Sequence, residues 1–510
     1  MMPRVDHVLC GLAANTALPY ELVDRLIAVA DADVAGCLAD RADLSHAQAV
    51  DLFSRVPQCG VHLAYEGRLT AADVDPVARP DVALALLDEG AGSPQWARIL
   101  ARDPVPAHRE KLAACSGLPA DVVRTLAADP DVGVVAELAL WTTSDVTAGS
   151  LARHPHAQVR RSAAANEATP PDALAALLTG HGLPPARRCE VCDQEETPFV
   201  HERQCQRPDC MVPPGASCDG SHGSAVHDIR QAALQNPATP AEAVVGFADH
   251  PSMLLRRALA ARPDLPAGVY RTLAADPAPG IRADVAGNPA IDDALMRSLA
   301  GDSDPDVRRG LAHNPRVPLD VLTRLAGSAR IGSALLPRIA SATAAEVRRL
   351  ARSSSAPARM LLARRRDLPP EIRDRLADDP DAKVVRSVAS HPGLTEARLR
   401  AMVDRHGVRV LAGVAANPDA SPALLEHLIR HEPPVPKAFR EVARHPSASP
   451  RALLACLADG RARPVAAGRP ALPAPVVVEL LDDADQRVAE AAAANPSLPL
   501  AVIEDLIPRA

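Results

Sequence analysis

Apolar residues recur along this chain in short bursts at helical spacing, each burst broken by proline. In "VPLDVLTRLAG", Val321, Leu322, Leu325 and Ala326 fall on one face of a helix, and Pro318 fits its first turn, where a missing N–H costs little. In "DPDVRRGLAHN", Val307 and Leu311 pair one turn apart and Asn314-Pro315 ends the segment. No stretch alternates apolar and polar residues at strand spacing. Helices this short are not stable alone, so each must bury its stripe against neighbours.

The neighbours are copies of the same unit. Four successive stretches, "QAALQNPATPAEAVVGFADHP", "RALAARPDLPAGVYRTLAADP", "ADVAGNPAIDDALMRSLAGDS" and "RGLAHNPRVPLDVLTRLAGSA", carry Pro237, Pro263, Pro289 and Pro315 at steps of 26. Pro392, Pro418, Pro446, Pro470 and Pro496 follow at steps of 26, 28, 24 and 26. Weaker copies begin at Leu12, Leu112 and Ala163, and the pattern degenerates at about 41–92 and 328–359. The reading is an all-α, right-handed helical-repeat solenoid in which each unit supplies two short helices.

The recurring leucine, Asn-Pro and Leu-Pro phrase resembles the leucine-rich repeat variant family, known from bacteria, over nearly the whole chain. HEAT-type repeats are the nearest alternative. The family resemblance implies alternating α and 3₁₀ helices stacked in a superhelix, without a β-sheet.

Composition narrows the function classes. Of 510 residues, 47% are hydrophobic but only 2% aromatic, so the core is built from Leu, Ala and Val. The net charge of -7 gives no general pull toward nucleic acid. The start lacks a signal-peptide pattern and no segment is long and apolar enough to span a membrane, so a cytoplasmic protein is expected.

Arg160, Arg230, Arg256, Arg282, Arg308, Arg348, Arg386 and Arg409 are read as one equivalent place in successive repeats, several with a second arginine beside them. They form either a ladder of ion pairs with Asp131, Asp306 and Asp381, or a basic stripe for an acidic protein or a phosphate backbone. The ion-pair ladder is preferred. Lysine is nearly absent and aromatics are scarce, which argues against single-strand binding by base stacking.

One segment breaks the monotony. Asn166 and Asn236 hold the same repeat position but lie 70 residues apart, so 44 residues are inserted beyond one repeat of 26. The chain therefore divides into repeats at 1–180, a cysteine-rich insertion at 181–228, and repeats at 229–510. "CEVCDQEETPFVHERQCQRPDC" and "CDGSH" supply Cys189, Cys192, Cys205, Cys210, Cys218 and His222. Cys-x2-Cys lets two thiolates grip one ion, and zinc takes four such ligands. The insert has almost no apolar residues, so a metal would supply its folding energy. The preferred set is Cys189, Cys192, Cys205 and Cys210, with Cys218 or His222 as substitutes.

An iron–sulfur cluster and no metal are the other readings. "CDGSH" is identical to the core of CDGSH-type iron–sulfur domains, which would make Cys218 and His222 ligands, although Cys205-x4-Cys210 stands in place of their upstream Cys-x-Cys. Some leucine-rich repeat variant proteins also carry a cysteine-ligated iron–sulfur cluster. Cys10, Cys37, Cys59, Cys115 and Cys456 are scattered and read as small core residues. No nucleophile–base set or phosphate loop stands out. The expectation is a non-enzymatic scaffold for a protein partner with a structural metal site. Nucleic-acid binding, and iron–sulfur redox or metal sensing, are the alternatives.

Overall fold

The computed structural model describes residues 4–184, 223–328, 331–332 and 334–509, and every regular element among them is helical. The repeat at 305–328 shows how one unit is built. Asp304 caps the first helix, Pro305–His313, its carboxylate accepting from the Asp306 N–H, and Pro305 takes the first helical position. Val307, Leu311 and Ala312 are fully buried. The second helix, Leu319–Ser328, buries Val321, Leu322 and Leu325. Each fully buried aliphatic side chain is worth about 1.5–3 kcal/mol, and here that stabilisation comes from adjoining helices.

Two details differ from the expectation. The proline of the Leu-Pro phrase precedes its helix: Pro19, Pro119, Pro266 and Pro369 are N-caps in extended conformation. The carbonyls of Pro19, Pro119 and Pro369 accept the first four-residue bonds, as Pro318 does from Leu322 at 2.9 Å. For that reason the second helices are α. Among the described residues, 3₁₀ geometry is confined to Pro57–Cys59, Val245–Phe247 and Gly407–Arg409. The alternation implied by the family resemblance is therefore not present.

In several repeats the first helix ends at a cap residue whose side chain ties it to the preceding repeat. Asn314 Nδ2 donates to Ala286 O at 2.9 Å and Asn288 O at 2.7 Å, and Asn288 repeats this on Ala260 and Arg262. Arg262 fills the same position with a longer reach, donating to the Leu234, Asn236 and Thr239 carbonyls and pairing with Asp264. Most of these carbonyls sit at buried helix ends, where the helix itself leaves them unpaired; those of Asn236 and Arg262 also accept from the Thr239 N–H and the Tyr270 hydroxyl.

Residues 70–332 with 336–338 form one compact unit, and residues 4–69 with 334–335 and 339–509 form another. The second unit joins the two ends of the chain. Asn15 Nδ2 donates to Ala493 O and Asn495 O, each at 3.0 Å, which is the bond pair that ties consecutive repeats elsewhere. A Cβ on Gly11 would meet Glu490 O at 2.2 Å, much as one on Gly310 would meet Ala283 O at 2.6 Å. The first repeat thus stacks on the last as tightly as internal neighbours do.

In the other unit, the helix Gly223–Gln235 begins inside the segment expected as insertion, so the repeat resumes five residues before 228.

Candidate functional site

The six expected metal ligands, Cys189, Cys192, Cys205, Cys210, Cys218 and His222, lie outside the described residues. The scattered cysteines are where a core role puts them: Cys10, Cys59, Cys115 and Cys456 are buried and Cys37 is half-buried. Burial pushes the Cys115 and Cys456 thiols up to about 12, which makes them poor nucleophiles. His227, inside the expected insertion, is buried against Ser252 Oγ at 2.7 Å.

Among the described residues, the ligand atoms of Asp40, His62 and Glu66 converge within 4.8 Å. His62 Nε2 meets Asp40 Oδ1 at 2.9 Å there, an ordinary surface pair.

The arginines separate once positions are counted back from the cap. Six residues before it stand Arg109, Arg160, Arg230, Arg256, Arg282, Arg308, Arg359 and Arg463, the last paired with Asp483. These are structural. Arg282 donates to Asp302 at 2.8 Å and to the Asp276 carbonyl, Arg256 to Asp276, Arg109 to Asp129 and Arg359 to Asp379. Arg160, Arg230 and Arg308 use carbonyls: His154, Leu178 and Asp302. Arg282 holds Asp302 below the ordinary carboxylate range.

The ion-pair ladder therefore exists, with different acids from those expected. Each partner lies twenty residues ahead, in the linker before the next first helix. Asp131 and Asp381 are N-caps, and Asp306 lies in a first turn beside Arg309 at 3.1 Å.

Three of the expected ladder members belong elsewhere. Arg348 is on the second helix of its repeat, Ala344–Ala351. Arg386 stands five residues before the cap residue His391, and Arg409 eight before Asn417. Arg386 and Arg409 line one open groove.

In the unit of residues 70–332, Glu110, Glu137, Arg161 and Glu167 line a groove of about 550 Å³. A second groove holds Arg257, paired with Asp284 at 2.7 Å. In the other unit a groove of about 610 Å³ is lined by Arg364, Arg366, Arg386, Arg409 and Lys437, with Glu441 as its one carboxylate. Among the described residues, Arg366, Arg386, Arg409 and Lys437 have no acidic partner, and Glu441 faces Arg444 at 3.9 Å.

The field of this groove is felt by its own members. Burial and the nearby Arg386 lower the Arg364 pKa. Burial, then Arg366, pushes His391 down to about 4. His391 is 1% exposed, lines the groove, and leaves its Nδ1 without a hydrogen-bond partner.

No protein-family model matches the chain, and no curated protein matches it. Its function is therefore argued from geometry.

Proposed function

We propose that this chain is a non-enzymatic helical-repeat scaffold that binds a protein partner along its grooves. The observation behind this reading is a division of labour within the repeat. The cap residue and the arginine six before it are used up in stacking, while the side chains five and eight before the cap line grooves and are free to vary. Repeat proteins use such surfaces for extended partners.

No helix among the described residues is long and apolar enough to cross a membrane. A cytoplasmic protein of the leucine-rich repeat variant type remains the proposed setting.

The cysteine-rich insert is proposed as a structural metal site that shapes the loop beside these repeats, with zinc preferred and an iron–sulfur cluster as the alternative. Elemental analysis of anaerobically purified protein tests this. About one zinc per chain is expected; a brown chromophore with iron and acid-labile sulfide favours the redox alternative, and a metal-free chain removes the site.

The scaffold reading is tested by placing a photo-crosslinking residue at Ser162 or Ser387, each lining a groove, and at exposed Arg271 on a second helix. Discrete cross-linked products from the groove positions and none from Arg271 are expected. The same diffuse products from all three would overturn it.

A further inference from the structure

We propose that the groove lined by Arg364, Arg386, Arg409 and Lys437 is a recognition site for an extended acidic peptide. The peptide would place carboxylates on these cations and apolar side chains against Met360, Val408 and Val435. The inference rests on the scaffold reading and names the chemistry that one groove takes.

Three observations carry it. First, the positive charge is uncompensated. At the corresponding place in the other unit, Arg257 is neutralised by Asp284, four residues before its cap. The residue four before the next cap after Arg386 is Gly413. A Cβ there would meet Arg386 O at 3.0 Å and the Ala389 Cβ at 3.1 Å, so the tight helix contact that favours glycine also removes the neutralising acid.

Second, the cations come from four successive repeats, capped by Arg365, His391, Asn417 and His445. A lone phosphate would engage one or two of them; an elongated ligand can engage all. Third, the lining is mixed. Met360, Val408 and Val435 give apolar wall between the charges, which suits peptide side chains and gives a continuous phosphate backbone nothing to bind. Among the lining residues the only ring is that of buried His391, so there is no platform for stacking bases. Arginine forks also match carboxylate geometry two bonds at a time.

The test is fluorescence anisotropy on the full chain. The probe is a labelled peptide of about twelve residues, mostly glutamate with a leucine at every fourth place, against a labelled oligothymidylate of about equal length. The expected result is saturable peptide binding that weakens as salt is raised. Arg386→Glu with Arg409→Glu should weaken it at least about tenfold, whereas Arg271→Glu, exposed on a second helix in the other unit, should leave it unchanged. The milder Arg386→Gln with Arg409→Gln, checked for native helicity, should give an intermediate loss and guards against misfolding.

Absent peptide binding, equal losses from the Arg271 variant, or tighter binding of the oligothymidylate would each overturn the proposal. If the peptide fails while Ser162 and Ser387 still yield discrete cross-links, the acidic ligand is wrong and the scaffold reading stands. If both fail, both fall.

Discussion

Five residues before the cap, the unit of residues 70–332 has Glu110, Glu137 and Arg161 in one groove; the other unit has Met360 and Arg386 there, with Arg409 and Lys437 eight before. The backbone of the repeat is the same, yet the fields are opposite. Burial, reinforced by Asp131 and Glu137, raises the Glu110 pKa, so that carboxyl gains a proton more readily than usual. In the other groove, burial and neighbouring arginines lower Arg364 and His391, so cations are disfavoured. Stacking constrains the cap position, the one six before it and the close helix contact four before it. The positions five and eight before the cap carry no such constraint, and there the two grooves differ in charge.

The largest effect should come from breaking the framework. Arg256→Ala leaves the Asp276 carboxylate, 4% exposed, without its cation, and unpairs the His250 carbonyl. We expect a loss of about 4 kcal/mol, the scale for breaking a buried pair. Arg386→Ala, on the groove, should change stability by less than about 0.5 kcal/mol. Urea unfolding measures both. Equal losses would erase the distinction between stacking and groove arginines.

Next come the cap asparagines. Asn314→Ala in one unit and Asn417→Ala in the other each leave two buried carbonyls unpaired: Ala286 and Asn288, or Ala389 and His391. Each should cost about 3 kcal/mol. Asn15→Ala should cost less, about 2 kcal/mol, because it unpairs the Ala493 carbonyl across the chain ends while the Asn495 carbonyl keeps the Leu498 N–H at 3.0 Å. Repeat arrays unfold locally, so hydrogen exchange of each mutated repeat is the appropriate readout. Unchanged protection of the helix Arg4–Ala14 in Asn15→Ala would mean that the first repeat does not stack on the last.

The helices and their two-per-repeat order were legible because proline spacing and apolar spacing report the same period. The arginine ladder was legible only in part. Sequence spacing alone groups Arg386 and Arg409 with Arg256; distance from the cap separates them and adds Arg109 and Arg359. The cap itself was harder to see, since Asn314, Arg262 and His445 differ in size and share only the ability to donate to a neighbouring carbonyl. The basic groove was not legible at all. Arg364 and Lys437 lie 73 residues apart in sequence, and stacking alone brings them onto one surface. The cysteines expected as metal ligands, the most conspicuous local motif, fall outside the described residues and rest on their spacing.

A smaller effect sharpens the electrostatic half of the comparison. The folded pKa of His391, about 4, lies below its ordinary 6.5, so the unfolded chain takes up the proton first. Its contribution is complete above about pH 6.5 and is lost as pH falls toward 4. Stability should drop by about 2 kcal/mol between about pH 7 and about pH 5 from this residue. The charges that bear on it are Arg366 and Arg373, and its one favourable contact is the Ala363 carbonyl. His391→Asn installs the commonest cap residue and should flatten this part of the pH profile while keeping the stacking bond. An unchanged profile would place the acid sensitivity in other imidazoles, such as half-buried His154, which burial also lowers.

The smallest expected change in stability is the most direct probe of the groove argument. Arg257 and Asp284 are paired at 2.7 Å with side chains 60% and 30% exposed, and such surface pairs contribute little. Asp284→Asn should therefore alter stability by less than about 0.5 kcal/mol, while leaving Arg257 as unneutralised as Arg386. If free arginines at this position recruit carboxylates, the variant should gain a second, weaker, salt-sensitive site for the glutamate-rich peptide, seen as a change in binding stoichiometry. If it gains none, charge alone does not make the site, and the apolar wall of Met360, Val408 and Val435 must carry as much of the recognition as the arginines do.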